Sequence, residues 1–102
     1  MSRKEHFSTP IIIGHFLYTH SAAVPLDSVA WFAWLELHST FYFDSPLGGF
    51  TARCEQRADA FFWYAFRRYH KRLYKAYLGR SSTLTSKRLL SIAQHLTDKC
   101  GA

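Results

Sequence analysis

The sequence is poor in the residues that build covalent or metal scaffolds. It has two cysteines, Cys54 and Cys100, and neither sits in a CxxC pair or a ligand-spaced Cys/His cluster. That gives no support to a disulfide framework or a zinc site, and free thiols in a reducing cytoplasm are the simpler expectation. No apolar run approaches the ~20 residues a membrane helix needs, so no membrane partner is expected. The start has a basic beginning, a short apolar stretch and an SAA segment. Glu5 and three histidines interrupt it, and IIIGHFL is broken by Gly14 and His15, so it is not read as a secretion signal. There is no GxSxG, P-loop, HExxH or glycine-rich dinucleotide turn. The seven acids form no evident convergent pair of the kind a glycosidase or nuclease requires. His6, His15, His20, His38, His70 and His95 are scattered, as surface or capping histidines are. The chain is therefore expected to be no enzyme, with no catalytic residues, no metal and no cofactor.

What the chain does have is rings and cations. Of 102 residues, 48 % are hydrophobic and 18 % aromatic, enough for one small domain with a packed core. The formal charge is +6, and it is unevenly spread. Residues 1–49 hold two basic residues and four acids; residues 50–102 hold eleven Lys/Arg against Glu55, Asp59 and Asp98. Such asymmetry favours an anionic partner over a merely solubilising surface.

Periodicity orders the chain. Residues 1–20 read as a loose N-terminal arm or short strand; within them 10–18, carrying Ile11, Ile12, Ile13, Phe16, Leu17 and Tyr18, read as a strand or an extended arm lying on the domain. Residues 21–98 read as a single domain. Asp27, after Pro25, is a candidate N-cap for SVAWFAWLELHS, a helix of about three turns. Trp31, Trp34, Leu35 and His38 share one face of it, and Phe32 and Leu37 make it apolar nearly all round. TFYFDSP is a short strand, and Gly48–Gly49 a turn. Three strands follow, FTARCEQR, AFFWYAFRRY and RLYKAYLGR, with separators Ala58–Asp59 and His70–Lys71 too short for anything but antiparallel hairpins. Neither separator contains glycine, which makes ideal two-residue turns doubtful. Thr85 then caps a helix over 85–97 with an apolar stripe at Leu89, Ile92, Ala93 and Leu96. The expected fold is α+β: an antiparallel three- to four-stranded meander, its basic part at 50–80, packed on a C-terminal helix and preceded by a Trp-rich helix.

If both turns are tight, the register follows by counting. One face collects Ala52, Cys54, Trp63, Ala65, Ala76 and Leu78, with small residues at its centre where the C-terminal helix would sit. The other collects Thr51, Arg53, Glu55, Arg57, Tyr64, Phe66, Arg68, Lys75 and Tyr77. Burying unpaired cations costs several kcal/mol each, roughly, so the second face should stay open. Cations among rings suit nucleic acid, through phosphate neutralisation, guanine edges or base stacking. The competing reading makes them ordinary cross-strand pairs, rings packing cationic stems.

AWFAWLELHSTFYF, GGFTARCEQR, FFWYAFRR, LYKAYLGRSSTLT and KRLLSIA together resemble a short N-terminal module found ahead of LuxR/MalT-type ATP-dependent transcriptional regulators. The likeness covers roughly residues 29–96 and rests most on FTAR, WYAFRR and YLGRSSTLT. The chain departs from that module at Arg57–Ala58–Asp59–Ala60, where a glycine-rich hairpin is usual, and at Cys54, where a basic residue is typical. Three antiparallel strands and a packing helix are also similar to the N-terminal DNA-binding domains of tyrosine recombinases and the AP2 type. That resemblance implies reading DNA with the open sheet face, through Arg53, Tyr64, Phe66, Arg68, Lys75 and Tyr77.

The leading expectation is thus a cytoplasmic DNA-binding module acting in transcription regulation or mobile-element biology. Arg53, Arg57, Tyr64, Phe66, Arg68, Lys71, Arg72, Lys75 and Tyr77 are its candidate contacts, with RNA or single-stranded DNA as variants of the same idea. The alternative is a protein-interaction or sensor module. There Trp31, Phe32, Trp34 and Leu35, too apolar for a small monomer to bury, would mediate a homodimer or dock a protein partner.

Overall fold

The structure, a computed structural model, describes residues 9–100. Three short strands come first: β1 (Ile11–Ile13), β2 (Phe16–Tyr18) and β3 (Ala23–Pro25). Helix α1 (Val29–Leu37) precedes β4 (Thr40–Asp44), β5 (Phe50–Arg57), β6 (Ala60–Tyr69) and β7 (Arg72–Gly79). A 3-10 turn (Ser81–Thr83) then leads into α2 (Ser86–Lys99). All seven strands join one sheet in the order β3-β2-β1-β4-β5-β6-β7. Among the described strands only β1 and β4 run parallel, and α1 lies within the crossover that joins them. The α+β class, the meander and the C-terminal helix are as the sequence implies.

The meander extends further than expected. The part of the N-terminal arm that falls on described residues is built into the sheet, not laid over it; residues 1–8 lie outside the described residues. Ile12 and Leu17 are fully buried, while their neighbours Ile13, Phe16 and Tyr18 face outward, so β1 and β2 alternate as half-buried strands do.

Both helices pack on the same face, and a single core lies between them and the sheet. It joins Trp31, Trp34 and Leu35 of α1 and Leu89, Ile92, Ala93 and Leu96 of α2 to Ile12, Phe41, Phe43, Phe50, Trp63 and Leu78 of the strands. Ala52, Ala65 and Ala76 are opposite one another on β5, β6 and β7, and all three are buried. Their small side chains leave room for the α2 stripe. Two indole N–H groups are satisfied within the fold: Trp31 donates to the Leu84 carbonyl at 2.7 Å and Trp63 to the Ser81 hydroxyl at 3.0 Å.

Two expectations need correction. The N-cap of α1 is Ser28, whose hydroxyl accepts from the Trp31 N–H; Asp27 has φ +63° and turns away. The Asp27 carboxylate instead accepts from the Ser86 N–H (2.8 Å) and hydroxyl (2.7 Å), at the start of α2. An anion there is favoured by the helix dipole, so the right residue type serves the other helix. Thr85 caps α2 as expected, accepting from the Arg88 N–H. The second correction concerns the Trp helix. Trp31, Trp34 and Leu35 are 0 %, 9 % and 2 % exposed, so these three are core, and Phe32 lies half-buried against it. A sheet three strands wider than expected supplies the surface that buries them.

The tight turns hold despite lacking glycine. Arg57 opposes Ala60, and Tyr69 opposes Arg72. Ala58 has φ +55°, and His70 and Lys71 have φ +51° and +67°. Each left-handed residue without glycine costs roughly 1–2 kcal/mol. The register slips once, between Trp63 and Tyr64, where Trp63 faces Gly79 and not Leu78. Gly79 takes φ +121° there, and a Cβ would press on the Thr83 hydroxyl, so glycine is required at that bulge.

Candidate nucleic-acid interface

Among the described residues no helix covers the second face of the sheet. The register lines up its side chains in rows that cross the strands. Thr40, Arg53, Tyr64 and Tyr77 form one row over β4–β7. Tyr18, Ile11, Tyr42, Thr51, Phe66 and Lys75 form another across β2, β1 and β4–β7. Of the expected contacts, Arg53, Arg57, Tyr64, Phe66, Arg68, Lys75 and Tyr77 converge on this face. Lys71 sits in the β6–β7 turn. Arg72 opposes Tyr69 and shares the parity of Ala76, so it belongs to the helix-side face at the sheet's end.

The cations of this face divide into two kinds. Arg57 and Lys75 are engaged: Glu55 accepts from Arg57 at 2.9 Å and from Lys75 at 3.5 Å. Lys75 Nζ lies 4.4 Å from the Tyr64 ring centre and 5.3 Å from that of Phe66, and the Arg57 guanidinium is 5.2 Å from Tyr64. Glu55 is held below the usual carboxylate range, chiefly by its hydrogen bond from Arg57. Arg53 and Arg68 are exposed, and neither has an ion-pair partner among the described residues. They flank a depression of about 530 Å³ floored by Thr51 and Phe66 and edged by Glu55 and Leu73. Their Cα atoms are about 14 Å apart, since Arg53 aligns with Tyr64 and Arg68 lies four residues further along β6.

Chemically, this surface offers free guanidiniums beside the Tyr64 and Phe66 rings, which cations already occupy. A base stacking on Tyr64 or Phe66 would have to displace Lys75. A phosphate or guanine edge meeting Arg53 or Arg68 would displace nothing but water.

Sequence reasoning missed two things here. The open face continues over β1, β2 and β4, where Ile13, Phe16, Tyr18 and Tyr42 are exposed. The alternation in IIIGHFLY carried that signal. The other omission is Arg67, which stands next to Arg68 but points to the helix side. Its guanidinium donates to the Gly49 carbonyl (2.7 Å), the Thr97 hydroxyl (2.9 Å) and the Ala93 carbonyl (3.3 Å). It passes so close to Gly48 that a Cβ there would meet it at 2.9 Å. Arg88 and Lys99 are likewise spent, donating to the Leu78 and Lys75 carbonyls.

Elsewhere the chemistry is quiet. Burial, followed by the charges of Glu36 and Glu55, pushes the Cys54 thiol up, so it stays protonated and weakly nucleophilic at neutral pH. His38 stacks on Trp34 at 4.2 Å and its Nδ1 donates to the Trp34 carbonyl, closing α1. Among the described residues no three His, Cys, Asp or Glu side chains gather as a metal site requires, and no helix is long and apolar enough to cross a membrane. No family model, curated protein or solved structure matches the chain.

Proposed function

We propose that the chain is a nucleic-acid-binding module that lays the open face of β5–β7 on double-stranded DNA. The observation that carries this is the pair Arg53 and Arg68, exposed and, among the described residues, without counter-ions on a sheet face that no helix covers. Two exposed guanidiniums not held by a carboxylate are available to an anion, and phosphates are the complementary ligand. The cations already seated on Tyr64 and Phe66, the rings beside Arg53 and Arg68, favour duplex over unpaired bases as the partner. Likeness to the module found ahead of LuxR/MalT-type regulators would set such binding in transcription regulation, and likeness to recombinase arms in mobile elements, in either case in the cytoplasm.

The test is an anisotropy titration of the full chain against duplex DNA, single-stranded DNA and RNA at a series of salt concentrations. Duplex should bind most tightly, with affinity falling steeply as salt rises. Changing Arg53, Arg68 and Lys75 together to Ala should weaken binding at least tenfold, roughly, and lower the logarithmic salt slope by between about 2 and 3, while the unfolding transition stays intact. Unchanged affinity in that variant would falsify the reading. Preference for a single strand would move the function to stacking on the exposed rings.

A further inference from the structure

The two hairpin tips at the ends of β6 are unlike. The β5–β6 tip is short of free charge: Arg57 is held by Glu55, and the turn carries Asp59. The β6–β7 tip reads Arg68–Tyr69–His70–Lys71–Arg72–Leu73, and all six residues are exposed. No acid occurs anywhere between Asp59 and Asp98 in the sequence.

The tip also overhangs. Pairing of β6 with β5 ends at Phe66 opposite Thr51, whereas pairing with β7 continues to Tyr69 opposite Arg72. Past Phe66 the paired strands are therefore a two-stranded ribbon, reaching about 10 Å beyond the last three-stranded row. A B-DNA major groove is about 12 Å wide and 8.5 Å deep and admits a two-stranded ribbon. A seven-stranded sheet lying flat could not enter it.

The third observation is strain. A turn with both central residues left-handed is the type I′ hairpin turn, which prefers Asn-Gly. Here the two positions are His70 and Lys71, and Lys gains nothing from that backbone conformation. Strain of this kind is kept where side chains are needed for something else. The contact between Tyr69 and His70, 4.1 Å between ring centres, steadies the turn without removing the cost.

Resting on the DNA-binding reading above, we infer that the β6–β7 tip is the element that enters the major groove. Lys71 and Arg72 reach base edges and inner phosphates, while Arg53 and Arg68 contact the backbone at the groove wall. This gives Arg72, which faces away from the open surface, a role on the same ligand. It also separates the residues that set affinity (Arg53, Arg68) from those that set sequence preference (Lys71, Arg72).

The experiment compares three full-length chains on one mixed-sequence duplex: wild type, the open-face triple variant above, and His70→Asn/Lys71→Gly/Arg72→Thr. The last installs the preferred turn sequence, so its unfolding midpoint should equal or exceed wild type. Its affinity should fall roughly tenfold and its salt slope by about 2, so it becomes no less stable but a poorer binder. Methyl green, which occupies the major groove, should compete with wild type, and netropsin in the minor groove should not. Lys71→Asn alone, which keeps a residue tolerant of the left-handed conformation, should lower the slope by about 1. If the tip variant binds like wild type while the open-face variant does not, or if netropsin competes, the tip inference falls and the DNA-binding reading stands. If wild type does not bind the duplex at all, both fall.

Discussion

Along β6, odd and even residues live under different rules. Trp63 and Ala65 are fully buried, while Tyr64 and Phe66, one position away, are half-buried beneath Lys75. Arg67 donates to Gly49, Ala93 and Thr97; among the described residues Arg68 has no such partners, and it fronts a depression on the open face. The same strand thus supplies a packing surface and a charged one, and residue type alone does not say which. Parity does. Two arginines in succession are one structural latch and one free cation, because successive side chains in a strand point to opposite sides.

Neighbouring substitutions therefore separate the faces. Trp63→Ala should cost about 3–5 kcal/mol, because it empties the centre of the core and strands the Ser81 hydroxyl. Tyr64→Ala removes the edge contact with Tyr77 and the half-exposed contacts with Lys75 and Arg57, and should cost only about 1 kcal/mol. Urea denaturation of both variants measures the difference; equal costs would mean that the open face is itself buried in solution, against a partner copy. Arg67→Ala should cost about 2 kcal/mol, since several charge-assisted hydrogen bonds tying β6 to the Leu47–Gly49 loop and to α2 are lost together. Arg68→Ala should leave stability within about 0.5 kcal/mol and act on DNA affinity instead. A stability loss at Arg68 matching that at Arg67 would erase the distinction on which the interface rests.

That parity was available from the sequence wherever strand ends could be fixed. The two short separators fixed β5, β6 and β7, and the lists of inward and outward residues came out as counted, apart from the slip at Gly79. Counting failed where the information is not local. Nothing in IIIGHFLY says that β1 will lie beside β4, some 30 residues on, in a parallel pairing. Without that pairing the Trp helix looks too apolar for its domain. Asp27 shows the same limit on a smaller scale. A carboxylate next to a helix start is read as that helix's cap, and only the tertiary fold brings Ser86 within 2.8 Å of it. The free state of Arg53 and Arg68 likewise depends on where Glu55 spends its charge. That choice is made between side chains on three strands.

Glu55 provides the finest test of the comparison, and the smallest effect. Its carboxylate is stabilised by Arg57 and Lys75, so its ionisation lies below the ordinary range. The small contribution this makes to folding is present above the ordinary carboxylate range and is lost as pH falls through the lowered one. The same protonation releases two cations onto the open face. Glu55→Gln should do this at neutral pH, raising duplex affinity a few-fold, roughly, and steepening the salt dependence, with little change in the unfolding midpoint. Wild-type affinity should climb toward that of the variant as pH is lowered through the acid range, and the gap between the two chains is the quantity to follow, because other acids titrate in both. A variant that binds more weakly than wild type would reverse the assignment. Glu55 would then be holding Arg57 and Lys75 in the orientation in which they meet the DNA, and the engaged cations, not the free ones, would form the contact.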